Sequence, residues 1–217
     1  MNGKTALRHS VTKVKAEPKK LSNLSSRERI IRAASVLIES KGLHGTGLNE
    51  IVRKGKAPKG SIYYHFPGGK EQIAAEAISL SGRTLAEKIR TNWVRKESSA
   101  QAIEAFINRL SLLLGTSKFD SSGLLSIIAS ETATTNKRLN QRCQDAFTDL
   151  IEVHKEKLRG YGFTEAQTTR LSTVLTATLV GGVILSRTFH SRRPLQTIAT
   201  LFGEMVQAID PATKRHT

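Results

Sequence analysis

Nowhere along these 217 residues do apolar and polar side chains alternate with the period of two that a half-buried strand requires. Apolar residues recur at spacings of three and four instead. The segments that carry them open on helix-start signals: Ser25-Ser26-Arg27-Glu28, Ser98-x-x-Gln101 and Thr164-x-x-Gln167 each read as a capping box. In such a box the first side chain satisfies a free backbone N–H, and the Glu or Gln three residues on reaches back to the cap. Gly42, Gly115, Gly160 and Asp210-Pro211 close the same kind of segment. The chain is expected to be all-α.

The first helix, from Ser25, carries Ile30, Ile31, Ala34, Leu37 and Ile38 on one side. A second is expected over 48–54, capped by Thr46 or Gly47, with Leu48, Ile51 and Val52 inward. After the turn Gly55-Lys56-Ala57, a third is expected to begin at Pro58, since proline suits the first helical position. Ile62, Tyr63 and Phe66 would hold it to the first two. Pro67-Gly68-Gly69 breaks the chain, and a long helix over about 70–94 presents Ile73, Ala74, Ala77, Ile78, Leu85 and Ile89 as its inner stripe. Five further helices are expected, over about 98–114, 123–130, 136–159, 164–190 and 194–209.

The formal net charge is +16 and the sequence pI near 10.3, a balance that favours polyanionic partners. The excess sits early. Residues 1–70 hold 15 Lys and Arg against 4 Asp and Glu, whereas residues 71–217 hold 19 against 14. Residues 1–24 are basic, poor in apolar side chains and without helical period, and read as a disordered basic arm. They lack the apolar run of a secretory signal, and the longest apolar block, 179–185, is about a third of a membrane span. Cys143 is the sole cysteine, which excludes an intramolecular disulfide and a thiolate zinc cluster and marks it as a structural thiol. A cytoplasmic protein with no membrane partner is expected.

Lys59-Gly60-Ser61-Ile62-Tyr63-Tyr64-His65-Phe66 carries the most specific chemistry. Lysine neutralises phosphate, glycine permits close backbone approach, and Ser, Tyr and His donate hydrogen bonds to phosphate oxygens or base edges. Helix, short turn, then a helix basic and polar outward is the helix-turn-helix reading unit of double-stranded DNA-binding proteins. Gly68-Gly69-Lys70 lacks the spacing of a nucleotide phosphate loop, so Lys70, in the first turn of a helix, is assigned to a DNA phosphate. No Gly-x-Ser-x-Gly, His-Glu-x-x-His or paired-Cys pattern is present, and His154-Lys155-Glu156 reads as a solvated helix face. Neither enzyme activity nor a cofactor or metal is expected.

Across residues 25–75 the sequence resembles the TetR family of bacterial transcription regulators. The resemblance is carried by the first helix, by Thr46-Gly47-Leu48-Asn49-Glu50-Ile51-Val52 and by Gly60-Ser61-Ile62-Tyr63-Tyr64-His65-Phe66 followed by Lys70. The run from Ala57 to Glu71 is most similar to the LmrA/YxaF-type subgroup. The resemblance implies an all-α homodimer with an N-terminal three-helix DNA-binding domain (residues 25–70) and a C-terminal helical regulatory, ligand-binding and dimerisation domain (71–217). It further implies repression at a palindromic operator, relieved by a small-molecule effector. On the matching positions, Lys59, Gly60, Ser61, Tyr63, Tyr64 and His65 would lie on or near DNA, Thr46 and Lys70 would hold phosphates, and Lys56 would add charge.

Two departures stand out. Lys56 occupies the turn position where the family often has glycine, so Gly55 is expected to take the left-handed angle in its place. Pro58 replaces a frequent Ser or Thr. Beyond the DNA-reading unit, two stripes are candidates for the dimer surface: Leu171, Val174, Leu175, Thr178, Leu179 and Gly182, and Ile198, Leu201, Phe202, Met205 and Ile209. Phe106, Leu110, Ile127, Glu131, Phe147 and Val174 are candidates for an effector pocket, which would be mostly apolar with few polar groups. The rival reading is a non-specific DNA-coating or architectural protein, which the basic N-terminal third would also suit.

Overall fold

A computed structural model describes residues 24–117 and 123–210. The basic arm lies outside the described residues except for Leu24. The described residues form helices α1 (Ser26–Lys41), α2 (Leu48–Gly55), α3 (Ser61–His65), α4 (Gly69–Asn92), α5 (Ser99–Thr116), α6 (Leu124–Thr132), α7 (Lys137–Arg159), α8 (Glu165–Thr188) and α9 (Arg193–Ile209), and no strand.

The start signals act locally. The Ser25 and Thr164 boxes are both closed in each direction. At Ser98 half the box forms: its hydroxyl accepts the Gln101 N–H at 3.2 Å, and Ser98 caps α5 alone. Gly115 does not stop α5, which runs on one residue and is capped by Ser117. Asn136 caps α7, and Pro194 lies in the first turn of α9.

Two apolar clusters organise the packing. One joins α1, α2 and α3 to most of α4 and to α6 and α7, with Ile30, Ile38, Ile51, Phe66, Ile73 and Ile78 at its centre. The other lies among the end of α4, α5, the end of α7, α8 and α9, around Ile103, Ile107, Leu158, Leu175 and Leu195. Cys143 is buried in the first, and burial raises its thiol pKa to about 11, the condition of an unreactive structural thiol.

The candidate dimer stripes divide by face. Leu171, Leu175, Leu179, Gly182 and Phe202 are buried within the subunit, where Gly182 lets Leu195 and Ile198 of α9 press on α8. Val174, Ile184 and Leu185 of α8 and Leu201 and Met205 of α9 stay exposed on the other side. By length and composition α8 is apolar enough to cross a membrane, but it packs against α7 and α9 as a core helix with one uncovered face.

Candidate nucleic-acid interface

The reading unit is shaped by what α1 holds. Arg29 donates from Nε to the Gly55 carbonyl at 3.1 Å, and its other nitrogens reach the Leu24 carbonyl at 2.8 Å and the Lys56 carbonyl at 3.4 Å. One guanidinium thus ties α1 to the α2–α3 turn. Gly55 is buried at the end of α2, where a Cβ would come within 3.1 Å of the Arg29 carbonyl oxygen. Its missing side chain serves this close approach. The left-handed angle falls on Lys56 instead (φ 48°, ψ 42°), contrary to the sequence expectation.

The third helix also starts later than expected. Pro58 lies in the preceding turn, its carbonyl accepts the Ser61 N–H at 2.9 Å, and α3 begins at Ser61. Proline suits a turn as well as a first helical position. Over five residues α3 is pinned by Ile62 and Phe66, both essentially buried, four positions apart on one face. Tyr63 is not a third anchor: it is 77% exposed and Tyr64 82%. Two neighbouring tyrosines so fully in solvent have no packing role and leave both rings open to a partner. Tyr64 meets His65 edge to face at 4.8 Å between ring centres.

Lys56, Lys59 and Gly60 are exposed beside this pair, while Ser61, His65 and Lys70 are half-buried. Lys70, in the first turn of α4, extends to the His44 carbonyl at 3.4 Å. Thr46 does not join them. It is 1% exposed, and its hydroxyl donates to the Gly42 carbonyl at 2.8 Å, so it stabilises the loop before α2 and offers nothing to a phosphate here. Sequence reasoning missed Arg29, whose spacing from Gly55 is visible only in the fold.

The six candidate effector residues do not converge. Phe106 and Leu110 belong to the second apolar cluster and Phe147 packs against the first. Ile127 is half-buried on α6. Val174 points outward, 47% exposed, and Glu131 accepts the Leu43 backbone N–H at 2.9 Å. A cleft of about 530 Å³ between α1, α4 and α7 is lined by five arginines and none of the six.

His154 is the larger surprise. It is no solvated residue but 1% exposed, packed beside Trp93 and Phe106 with ring centres 6.2 and 5.9 Å away. Its position on α7 falls on the buried side with Leu150, Val153 and Leu158, a stripe the charged neighbours Lys155 and Glu156 obscure. Nδ1 lies 2.9 Å from the Thr176 hydroxyl. That hydroxyl donates to the Ser172 carbonyl at 2.8 Å and so accepts from Nδ1–H. Nε2 therefore carries the lone pair, and among the described residues it has no partner; nor does the buried Ser172 hydroxyl. Burial lowers the His154 pKa to about 4 and keeps the ring neutral.

A three-helix unit with its second and third helices joined by a tight turn, followed by six further helices, is the architecture of a helix-turn-helix transcription regulator. Residues 30–77 match the family of bacterial regulatory proteins of the tetR type, and residues 99–201 match the C-terminal domain of LmrA/YxaF-like transcriptional regulators. The HTH-type transcriptional regulator LmrA of Bacillus subtilis (strain 168) is 37% identical over 183 residues, covering 84% of this chain and 97% of that protein. An uncharacterized HTH-type regulator of the same organism, YxaF, is 34% identical over 187 residues, covering 84% and 95%. The crystal structure of a TetR transcriptional regulator from Legionella pneumophila shares the fold, with a TM-score of 0.71 at 23% identity over 84% of this chain and 98% of that one. The chain belongs to the TetR family of transcriptional regulators and carries an LmrA/YxaF-like C-terminal domain.

Proposed function

We propose that this regulator binds a palindromic operator as a homodimer, acts as a repressor in the cytoplasm, and is released by a small molecule held among α4–α9. In this reading residues 25–70 form the DNA-binding domain and 71–217 the regulatory, effector-binding and dimerisation domain. The observation that carries it is the exposed Tyr63–Tyr64 pair beside Lys56 and Lys59, on a helix held from behind by Ile62 and Phe66.

Lys56, Lys59 and Lys70 neutralise phosphates, and Ser61, Tyr63, Tyr64 and His65 reach phosphates or base edges where Gly60 lets the backbone approach. Each good base contact contributes about 1–3 kcal/mol of discrimination. A symmetric dimer places two copies of α3 in major grooves about one helical turn apart. The outward face of α8 and α9, with Val174, Ile184, Leu185, Leu201 and Met205 uncovered, supports that assembly. Such a face on a lone subunit is an interaction surface. An effector acts only through unequal affinity for the two reader spacings.

The test is selection of bound duplexes from a random pool, followed by gel shift with excess random competitor. A palindromic site that survives the competitor is the expected result. Binding that the competitor abolishes for every sequence would establish a coating protein instead.

A further inference from the structure

We infer that the cleft where α1 meets α4 and α7 is a binding site for an elongated oxyanion, a chain of phosphoryl groups held in arginine forks. The site stands apart from the operator and effector readings above. Its volume of about 530 Å³ lies within the usual range of about 300–1,000 Å³ for a small-molecule site. Each of the three helices turns guanidinium groups toward it: Arg27 and Arg32 from α1, Arg83 from α4, Arg138 and Arg142 from α7. Among the described residues the lining has two carboxylates, Glu28 and Glu76, against these five cations, and neither a lysine nor an aromatic ring.

The two carboxylates are already engaged. Glu76 meets Arg27 at 2.7 Å and accepts from the Gln72 amide at 3.2 Å, while Glu28 closes the capping box with Ser25. Arg138 and Arg142 have long, exposed pairs, with Glu71 at 3.7 Å and Asp145 at 3.6 Å, of a kind that contributes little. Arg32 and Arg83 meet no carboxylate among the described residues. Arg138 also stands in the first turn of α7, where the helix dipole disfavours a cation and no acidic residue offsets it. Like charges gathered against their own repulsion suit an anionic ligand.

The spacing selects the shape of that ligand. Glu76, which fixes Arg27, and Arg83 are separated by about 10 Å along the axis of α4. A single phosphate does not bridge that span, whereas a phosphoryl chain offers successive oxygens to successive forks. Each guanidinium takes two such oxygens at once, which an ammonium does not. With no ring in the lining, a base finds no stacking platform, so the chain alone is read.

The experiment is titration calorimetry of the full-length protein with inorganic tripolyphosphate at about 150 mM salt, where a screening length of about 8 Å suppresses attraction by net charge alone. Orthophosphate and citrate, both compact, should bind about tenfold more weakly or worse. Adenosine triphosphate should match tripolyphosphate. Arg32→Gln/Arg83→Gln should weaken tripolyphosphate about tenfold, and Arg32→Lys/Arg83→Lys, which keeps the charge and loses the forks, about fivefold. Lys88→Gln/Arg193→Gln removes as much charge from exposed positions elsewhere and should leave the affinity unchanged. No binding, equal affinity for citrate, or full affinity in the lysine variant overturns the inference. Tighter binding of adenosine triphosphate overturns recognition by the chain alone. A random-sequence duplex is the last arm: Arg32→Gln/Arg83→Gln should change its affinity less than about threefold. A loss for the duplex as large as that for tripolyphosphate makes the cleft a track for the DNA backbone and overturns the small-anion site.

Discussion

The Glu131 carboxylate, near the end of α6, accepts the Leu43 backbone N–H at 2.9 Å across 88 residues of sequence. Its counterpart runs the other way: Glu39 of α1 accepts the Gly123 N–H at 2.6 Å, just before α6, and meets Arg187 of α8 at 3.4 Å. Two carboxylates thus clasp α1 and α6 together from opposite ends. Gly42, at φ 76°, lies so close to the Glu131 carboxylate that no Cβ fits between them. Glu131→Ala leaves the Leu43 N–H without its partner and is expected to lower unfolding free energy by about 1–2 kcal/mol, measured by urea titration. Because the clasp joins the DNA-reading helices to α6, operator affinity should fall as well. An unchanged operator affinity would show that the joint has no part in positioning the reader.

Lys56 sits in a left-handed conformation that costs a side-chain-bearing residue about 1–2 kcal/mol. Lys56→Gly should relieve part of that strain and raise the melting temperature by a few degrees for about 1 kcal/mol gained. The same change removes a cation beside α3. The slope of log affinity against log salt should then flatten by about 0.9, the contribution of one neutralised phosphate. Greater stability with weaker, less salt-sensitive binding is the expected pair of outcomes. A variant that gains stability and keeps the original salt slope would remove Lys56 from the interface.

Tyr64 is the more exposed of the tyrosine pair and contacts only the His65 ring among the described aromatic groups. Tyr64→Ala should therefore leave thermal stability within about 0.5 kcal/mol of the parent, as for other surface changes away from special features. Site-specific binding should be lost, while the dimer persists by analytical ultracentrifugation. Retained operator affinity would mean that α3 reads DNA through another face.

The helices and their start signals were legible because capping boxes and three-four spacing act within one or two turns. The α3 boundary was not. Pro58 is compatible with a turn and with a first helical position, and the fold takes the turn, which the Ser61 N–H closes on the Pro58 carbonyl. By its place in the sequence Gly55 reads as a turn glycine, whereas its role depends on a carbonyl of α1 that lies 26 residues away. The exposure of Lys59, Gly60 and Tyr64 is legible from residue type, whereas that of Tyr63 is not, since an aromatic ring beside Ile62 fits a packed face equally well. Thr46 reads as a phosphate donor and Glu131 as a pocket residue because short-range pattern does not reveal a backbone partner brought in by the folded chain. His154 was hidden for a related reason: its neighbours Lys155 and Glu156 are charged, and the burial of one residue among them depends on rings supplied by α4 and α5.

That burial has a thermodynamic signature. The His154 pKa falls to about 4 in the folded protein, against about 6.5 in an unfolded chain. Between those values the unfolded state binds a proton that the folded state refuses, so stability is complete above pH 6.5 and declines as pH drops toward 4. From pH 7 to pH 5 this single group should remove about 2 kcal/mol of unfolding free energy. Other groups also titrate in this range, so the comparison is with His154→Phe, measured by urea unfolding at both pH values. The parent should lose about 2 kcal/mol more than the variant across the interval. Equal losses in the two proteins would place the imidazole in contact with water and remove the basis for a buried acceptor at this position.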